Sequence, residues 1–479
     1  MIIHLCISAK KMTKIFTILV KSIILCYFCG NLFSQEVPIE FFEYKLHKFL
    51  FDHNINENWS RNSIFGPLRY QDINEYPNNV NKAVTDSLKT EITLGAFTKN
   101  DAVSIFSYGK ILYLSNFYAF SYPRITNSKH KWPRFTGVSK KKSRFHFNSA
   151  ETDISGLGYQ NDWLILQFGR GRQSWGAGTD IFLALSDDSP AYDYGMIDLM
   201  LNSIRFRYFH GFLEHSNDFN RYLTGRGIEW NNKRNLLLSL SEIVIYSGYN
   251  RPIDIAYLNP ISSHLEIESN NRQNNLGYSS GNGVWQLSGD FLINKNYRFS
   301  GNFLIDEFTI DKVQRDTSKA HGLAFSAKLM RKLNEINYPF NIYFSYIYIG
   351  THTLRNANGY NNFVQRDFPL GWEFGSDGQA SEFGINYMIG GNLIGDFSVG
   401  LRKVGENTII NNPYSPYENY KVGPFPSGIV HQTVYINKKI FWRWKKNIHF
   451  HCDVILEPTK NQDRKTGIDI GVDIYKKIR

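Results

Sequence analysis

Residues Asn447–Glu457 read NIHFHCDVILE. Ile448, Phe450, Cys452, Val454 and Leu456 fall on one face of an extended chain, and His449, His451, Asp453 and Glu457 on the other. Successive side chains of a β-strand point to opposite faces, so this period of two marks a strand with one apolar and one polar side. The pattern recurs outward from there. Trp285, Leu287, Phe291 and Ile293 alternate with Gln286, Ser288 and Asp290; Phe397, Val399 and Leu401 alternate with Asp396, Ser398 and Arg402. The last run sets Ile468, Ile470, Val472 and Ile474 against Asp469, Gly471 and Asp473. Period two sets in after about Glu91 and holds to the end of the chain. A soluble sandwich would alternate too, but with shorter strands and its polar face turned to water. Runs of about ten residues match a tilted strand crossing a membrane.

The connections carry a second signal. Asn231–Arg234, Asn294–Asn296 and Gly390–Asn392 are tight polar turns, whereas Ser247–Gly281, Thr351–Gln379 and Val404–Ser427 are long. Short turns on one rim and long loops on the other characterise bacterial outer-membrane barrels, with the long loops outside. Aromatic residues make up 15% of the chain, and Phe441-Trp442-Arg443-Trp444 suits an interfacial girdle. No apolar stretch is long enough for a membrane-spanning helix, so the chain could span lipid by closing its strands. The expected fold is mainly β: a transmembrane antiparallel barrel of about 16–18 strands.

Residues 1–34 read as a secretory signal peptide: Lys10, Lys11, Lys14 and Lys21, no acidic residue, and an interrupted apolar run from Ile15 to Phe28. Met12 is an alternative start, and Tyr27 and Phe28 before Cys29 do not fit a lipoprotein site. Cleavage would leave Cys452 alone of four cysteines, which excludes an internal disulfide and a cysteine zinc site. It would also take the net charge from +11 to +7 with the loss of those four lysines. A mildly basic exported protein suits acidic polysaccharide or lipopolysaccharide phosphates, although solubility alone would also explain it.

Val37–Ile55 carries Ile39, Phe42, Leu46, Phe49 and Leu50 on one stripe, and is the one clear helix. Gly66-Pro67-Leu68-Arg69 and the polar stretch to Asn81 suggest a turn into a second short helix. Residues 35–90 are therefore expected to form a small periplasmic helical segment, and residues 91–479 the barrel.

Between two strands lies Gly169–Pro190, GRGRQSWGAGTDIFLALSDDSP. A strand from Asp162 to Phe168 should lead into it, and one amphipathic stretch, Ile197–Phe212, should lead away. Gly169, Gly171, Gly176 and Gly178 allow close backbone approach. Arg170, Arg172, Gln173 and Trp175 offer forked cations, an amide and an amphipathic ring, groups suited to hydroxylated or acidic sugars. The alternative is a glycine-rich bend pinned by a structural arginine. Arg170, Arg172, Gln173, Trp175 and Asp180 are the candidate polysaccharide contacts.

The same stretch resembles the capsule assembly protein Wzi family of Gram-negative outer membranes: GRQ, then WG, a Leu/Ile run and Ser-Asp-x-x-Pro. Arg221–Pro260 is similar to that family's central block, Leu304–Phe308 to a later strand, and Thr351-His352-Thr353, Pro369-Leu370-Gly371 and Gly375–Gly378 to its late loop. Gly66–Arg69 echoes a Pro-x-x-Arg of its N-terminal helices. Ser174 stands where a second Trp is common, Asp187-Asp188-Ser189-Pro190 replaces Asn-Ala-x-Pro, and the helical region is shorter. The resemblance implies an eighteen-stranded barrel with a periplasmic helical bundle that helps hold capsular or other surface polysaccharide on the cell. No cofactor and no catalytic residue is expected, and the protein is expected to act as a monomer.

Other signals weigh less. Gly277-Tyr278-Ser279-Ser280-Gly281 matches a nucleophile elbow but sits in an Asn/Gln-rich loop before a strand, where that motif does not work. His449 and His451 could share a metal, but polar filling of a barrel lumen is the commoner reason for such a pair. Lys140-Lys141-Lys142 with Arg144 suits a solvated loop or lipid phosphate rather than nucleic acid. Two functions stay open: a non-catalytic polysaccharide-attachment protein, and a porin-like channel, with adhesion or surface motility as further roles. Inward residues such as Arg205, Arg207, Tyr343, His431, Tyr435 and His449 favour a plugged lumen.

Overall fold

A computed structural model describes residues 35–53, 63–69, 88–132, 134–140, 146–216, 218–274, 281–307, 319–333, 338–416, 419–457 and 465–478. Eighteen antiparallel strands form one sheet. Its first strand, Leu88–Lys99, pairs with its last, Lys465–Ile478, from Ile92 opposite Ile478 to Phe97 opposite Asp473. The sheet is therefore a closed barrel with no free edge, the form in which strands can cross lipid. Eighteen is the upper end of the expected range. The shortest strand, Leu164–Gly171, has 8 residues and the longest, His431–Lys445, has 15.

The alternation read from the sequence is the in–out alternation of the wall. Leu287, Phe291, Phe397, Val399, Ile468, Ile470 and Ile474 are exposed on the outside, while Gln286, Ser288, Asp290, Ser398 and Asp473 are buried inside. Seven short turns (residues 114–116, 161–163, 202–203, 232–235, 295–296, 390–392 and 446–447) share one rim with both ends of the barrel. Tyr113, Phe117, Trp163, Trp230, Trp442 and Trp444 lie exposed beside that rim, a periplasmic aromatic girdle. Loops 127–148, 172–191, 250–281, 350–377 and 405–430 all belong to the opposite, extracellular rim.

Two expectations are corrected. Ile197–Phe212 is not one stretch but parts of two strands, Tyr192–Leu201 and Ile204–Ser216. A two-residue connection turns the chain at Asn202, whose φ of 56° is one that Asn tolerates. Such a turn leaves the period of two unbroken on both sides, so the pattern hides it. In the N-terminal region the helix occupies Phe42–His53 rather than starting at Val37, residues 63–69 are extended, and the second short helix expected beyond them falls outside the described residues. Glu36 bridges to Arg69, and Phe65 to Trp175. Residues 1–34 with the expected signal peptide, residues 70–87, Gly277–Ser280 and Lys141–Arg144 lie outside the described residues.

The helix packs inside the wall, at the end of the barrel that carries the short turns. Phe42, Leu46 and Phe49 bury against Ile394. Phe41, just before it, meets Phe97, Phe106, Tyr108, Tyr122 and Tyr475 with ring centroids 5.6–6.4 Å apart.

Candidate functional site: a lumen closed by its own chain

After Gly171 the chain does not rise from the extracellular rim. It turns into the bore, and the local sequence shows why. Gly176 (φ 151°) and Gly178 (φ 83°) adopt backbone conformations that disfavour other residues. A Cβ at Gly178 would come within 2.7 Å of Ile181. The apolar run Ile181, Leu183, Ala184 and Leu185 can then bury completely in the centre of the barrel.

Polar groups from the wall hold this inserted loop. Asn302 accepts from the Ala177 amide at 2.7 Å and donates to the Ala177 and Ile181 carbonyls at 3.0 and 3.2 Å. Gln286 donates to the Trp175 carbonyl at 3.1 Å, and Ser326 to the Ile181 carbonyl at 2.6 Å. These bonds satisfy loop backbone that would otherwise be buried without partners. Lys328 donates to Asp180 at 3.0 Å and to Asp52 of the helix at 3.2 Å, joining wall, loop and N-terminal segment.

The N-terminal residues pack on the loop from below. The Gly66 amide donates to the Ser174 carbonyl at 2.7 Å, and the Gly176 amide to the Ile64 carbonyl at 3.1 Å. Arg207 donates to the Phe65 and Gly66 carbonyls at 2.9 and 2.7 Å. Glu36 accepts from Gln167 at 2.6 Å and from the Tyr194 hydroxyl. Burial pushes its carboxyl up, and the Arg69 guanidinium opposes that shift. Burial likewise pushes up the carboxyl of Asp187, which takes a bond from the Tyr44 hydroxyl and lies 2.7 Å from the Lys48 ammonium.

Loop 350–377 closes the outer mouth. The Ser186 amide donates to Leu370 at 2.7 Å, and its hydroxyl to the Gly371 carbonyl at 2.8 Å. Any side chain at Gly371 would collide with the Leu183 carbonyl. Asp377 accepts from Thr351, from the Ser427 hydroxyl and from the Asn407 amide, tying this loop to residues 405–430.

The candidate residues separate in this frame. Arg172 is buried: it pairs with Asp153 at 2.5 Å and donates to the Ser189 carbonyl at 2.9 Å. Trp175 has 0% exposure, with its ring centroid 4.6 Å from that of Phe65 and 5.1 Å from that of Phe209. Its indole N–H donates to Gln173, which is itself fully buried. All three side chains meet protein partners, the geometry of a pinned bend. Arg170 instead points out of the wall at the extracellular rim, bonded to the Thr152 carbonyl and 3.3 Å from Asp193. Asp180 is half-exposed beside Lys328. His449 packs against Phe42 and Tyr475, and His451 lies 3.3 Å from Asp473. Sequence reasoning missed Asp153, Asn302 and Lys328, single polar residues within strands whose partners are distant in the chain.

No protein-family model matches the sequence, and no curated protein matches it. Among solved structures the chain is similar to Wzi of Escherichia coli, described as an outer membrane protein involved in group 1 capsule assembly and a carbohydrate-binding β-barrel. The two share 12% identity over 94% of this chain and 99% of that one, with a TM-score of 0.61. OprD of Pseudomonas aeruginosa is similar at 8% identity, over 83% of this chain and 95% of that one, with a TM-score of 0.44. OccK11 of the same organism has 7% identity, 82% and 96% coverage, and a TM-score of 0.45. The likeness to the capsule assembly family carried by the sequence motifs is thus met in the fold, and the chain is an outer-membrane β-barrel with the architecture of Wzi.

Proposed function

We propose that this protein is a non-catalytic outer-membrane barrel that helps assemble or hold capsular or other surface polysaccharide at the outer face of the cell. The observation that carries this reading is a bore occupied by the chain's own segments. A barrel of this size can enclose an aqueous channel, but here the N-terminal segment, loop 172–191 and loop 350–377 fill it in layers. That leaves the extracellular surface as the working part. The fold shared with a barrel described as carbohydrate-binding supports the ligand class.

In this reading Arg172, Gln173 and Trp175 serve by holding the lumen in shape, and Asp180 by its bond to Lys328. Contact with polymer falls to side chains at the outer mouth. Arg170 suits the carboxylates of acidic sugars. Tyr360, 43% exposed and stacked on Phe219 with centroids 4.1 Å apart, offers a flat apolar face to a sugar ring. Many weak contacts along a polymer combine through avidity, so the test uses the whole protein. Cells lacking the gene should shed surface polysaccharide into the medium at unchanged total synthesis, and the restored gene should return it to the cell. Unchanged cell-bound polysaccharide in the deletion would overturn the reading.

A further inference from the structure

Three neighbouring strands, Ile204–Ser216, Phe219–Asn231 and Leu236–Tyr249, break the rule that the outer wall is apolar. Their inward side chains are identified by contact with the plug: Arg207 and Phe209 with Phe65 and Trp175, and Glu229 with Ile64. The intervening positions face out. Near the periplasmic rim these are Ile228, Trp230, Leu238 and Leu240, exposed as a lipid belt requires. Further towards the outside they become Tyr208, His210, Tyr222, Arg226, Glu242 and Tyr246, all buried. A barrel does not offer an arginine, a glutamate and a histidine to acyl chains.

Residues 250–274 cover them from outside the barrel. The Tyr257 ring has 0% exposure and stacks on Tyr246 with centroids 4.4 Å apart, and Tyr246 stacks on Tyr222 at 4.9 Å. The Tyr208 hydroxyl donates to the Tyr257 carbonyl at 2.9 Å. The His264 amide donates to Glu242 at 3.0 Å, and Glu242 pairs with Arg226 at 3.4 Å. Gly283 leaves the room that the His264 ring occupies, since a Cβ there would approach it to 2.5 Å. The short helices Ile255–Leu258 and His264–Ser269 thus form a second small core with the outer wall.

The far side of this loop is aliphatic. Ile255 and Ile261 are 81% and 84% exposed, and Ile253, Leu258 and Leu265 are also exposed. Such a patch is unusual in water. It lies over the part of the wall where the belt of Ile228, Trp230, Leu238 and Leu240 would otherwise extend towards the extracellular rim. We propose that residues 250–274 are a membrane-seated clamp that replaces the lipid-facing wall over these strands and beds its aliphatic face in the acyl chains of the outer leaflet. The barrel would then be held in the leaflet that anchors surface polymers by a folded lobe as well as by its wall.

The test is nitroxide accessibility in phosphatidylcholine vesicles. Ile255→Cys and Ile261→Cys, each in a Cys452→Ser background, would be spin-labelled, with Leu240→Cys as the lipid-facing reference and Arg366→Cys as the water-facing one. We expect both loop sites to match Leu240, with ready access to oxygen and loss of access to a water-soluble nickel chelate. Nickel access like that at Arg366 would overturn the proposal by placing the face in water. Low access to both reagents would overturn it by showing a second protein surface, such as another copy of this chain. Both labelled positions are on the loop's exposed side, so neither should disturb its packing on the wall.

Discussion

Trp175→Ala should lower the stability of the folded barrel by about 3–5 kcal/mol, the cost of removing a fully enclosed large aromatic. The indole is buried completely between Phe65 and Phe209, and its backbone carbonyl is held by Gln286. The backbone around the void would stay in place because Asn302 and Ser326 anchor the loop elsewhere. The cavity therefore cannot collapse, and the loss sits at the upper end for such substitutions. Denaturant titration followed by the mobility of unboiled protein on gels measures it directly. An unchanged midpoint with loss of cell-bound polysaccharide would instead make Trp175 a sugar contact, the role its residue type also allowed.

Asp198→Asn should cost as much by a different route. Asp198 is fully buried and accepts from Arg205 at 2.6 and 2.8 Å and from Arg207 at 3.1 Å. Removing the charge takes away the carboxylate that both enclosed guanidinium groups share, a loss of about 3–5 kcal/mol. Arg207 also holds the Phe65 and Gly66 carbonyls, so the damage reaches the N-terminal segment. An Asp198→Asn protein as stable as the parent would contradict this account of the wall.

The barrel was legible because a membrane writes itself into the chain: lipid outside and polar filling inside impose a period of two that single strands such as Asn447–Glu457 display. Loop lengths then assigned the rims. The hairpin at Asn202 was not legible, because two turn residues leave the alternation intact. Nor was the direction of the Gly169–Pro190 stretch. Arg172 has the same residue type whether it meets a sugar or Asp153, and Asp153 is 19 residues away on another strand. The lobe on the outer wall did leave a trace: the outward positions of three adjacent strands switch from Ile, Leu and Trp to Tyr, His, Arg and Glu part-way along. That switch marks covered wall, but only once inward and outward have been assigned.

Planar-bilayer recording of the purified, full-length protein tests most directly the claim that this barrel works at its surface and not through its bore. With Ile181, Leu183 and Leu185 buried at the centre and Leu370 bonded across the mouth, the account predicts insertion without steady conductance. Large, stable openings such as an unobstructed eighteen-stranded barrel would give would contradict it.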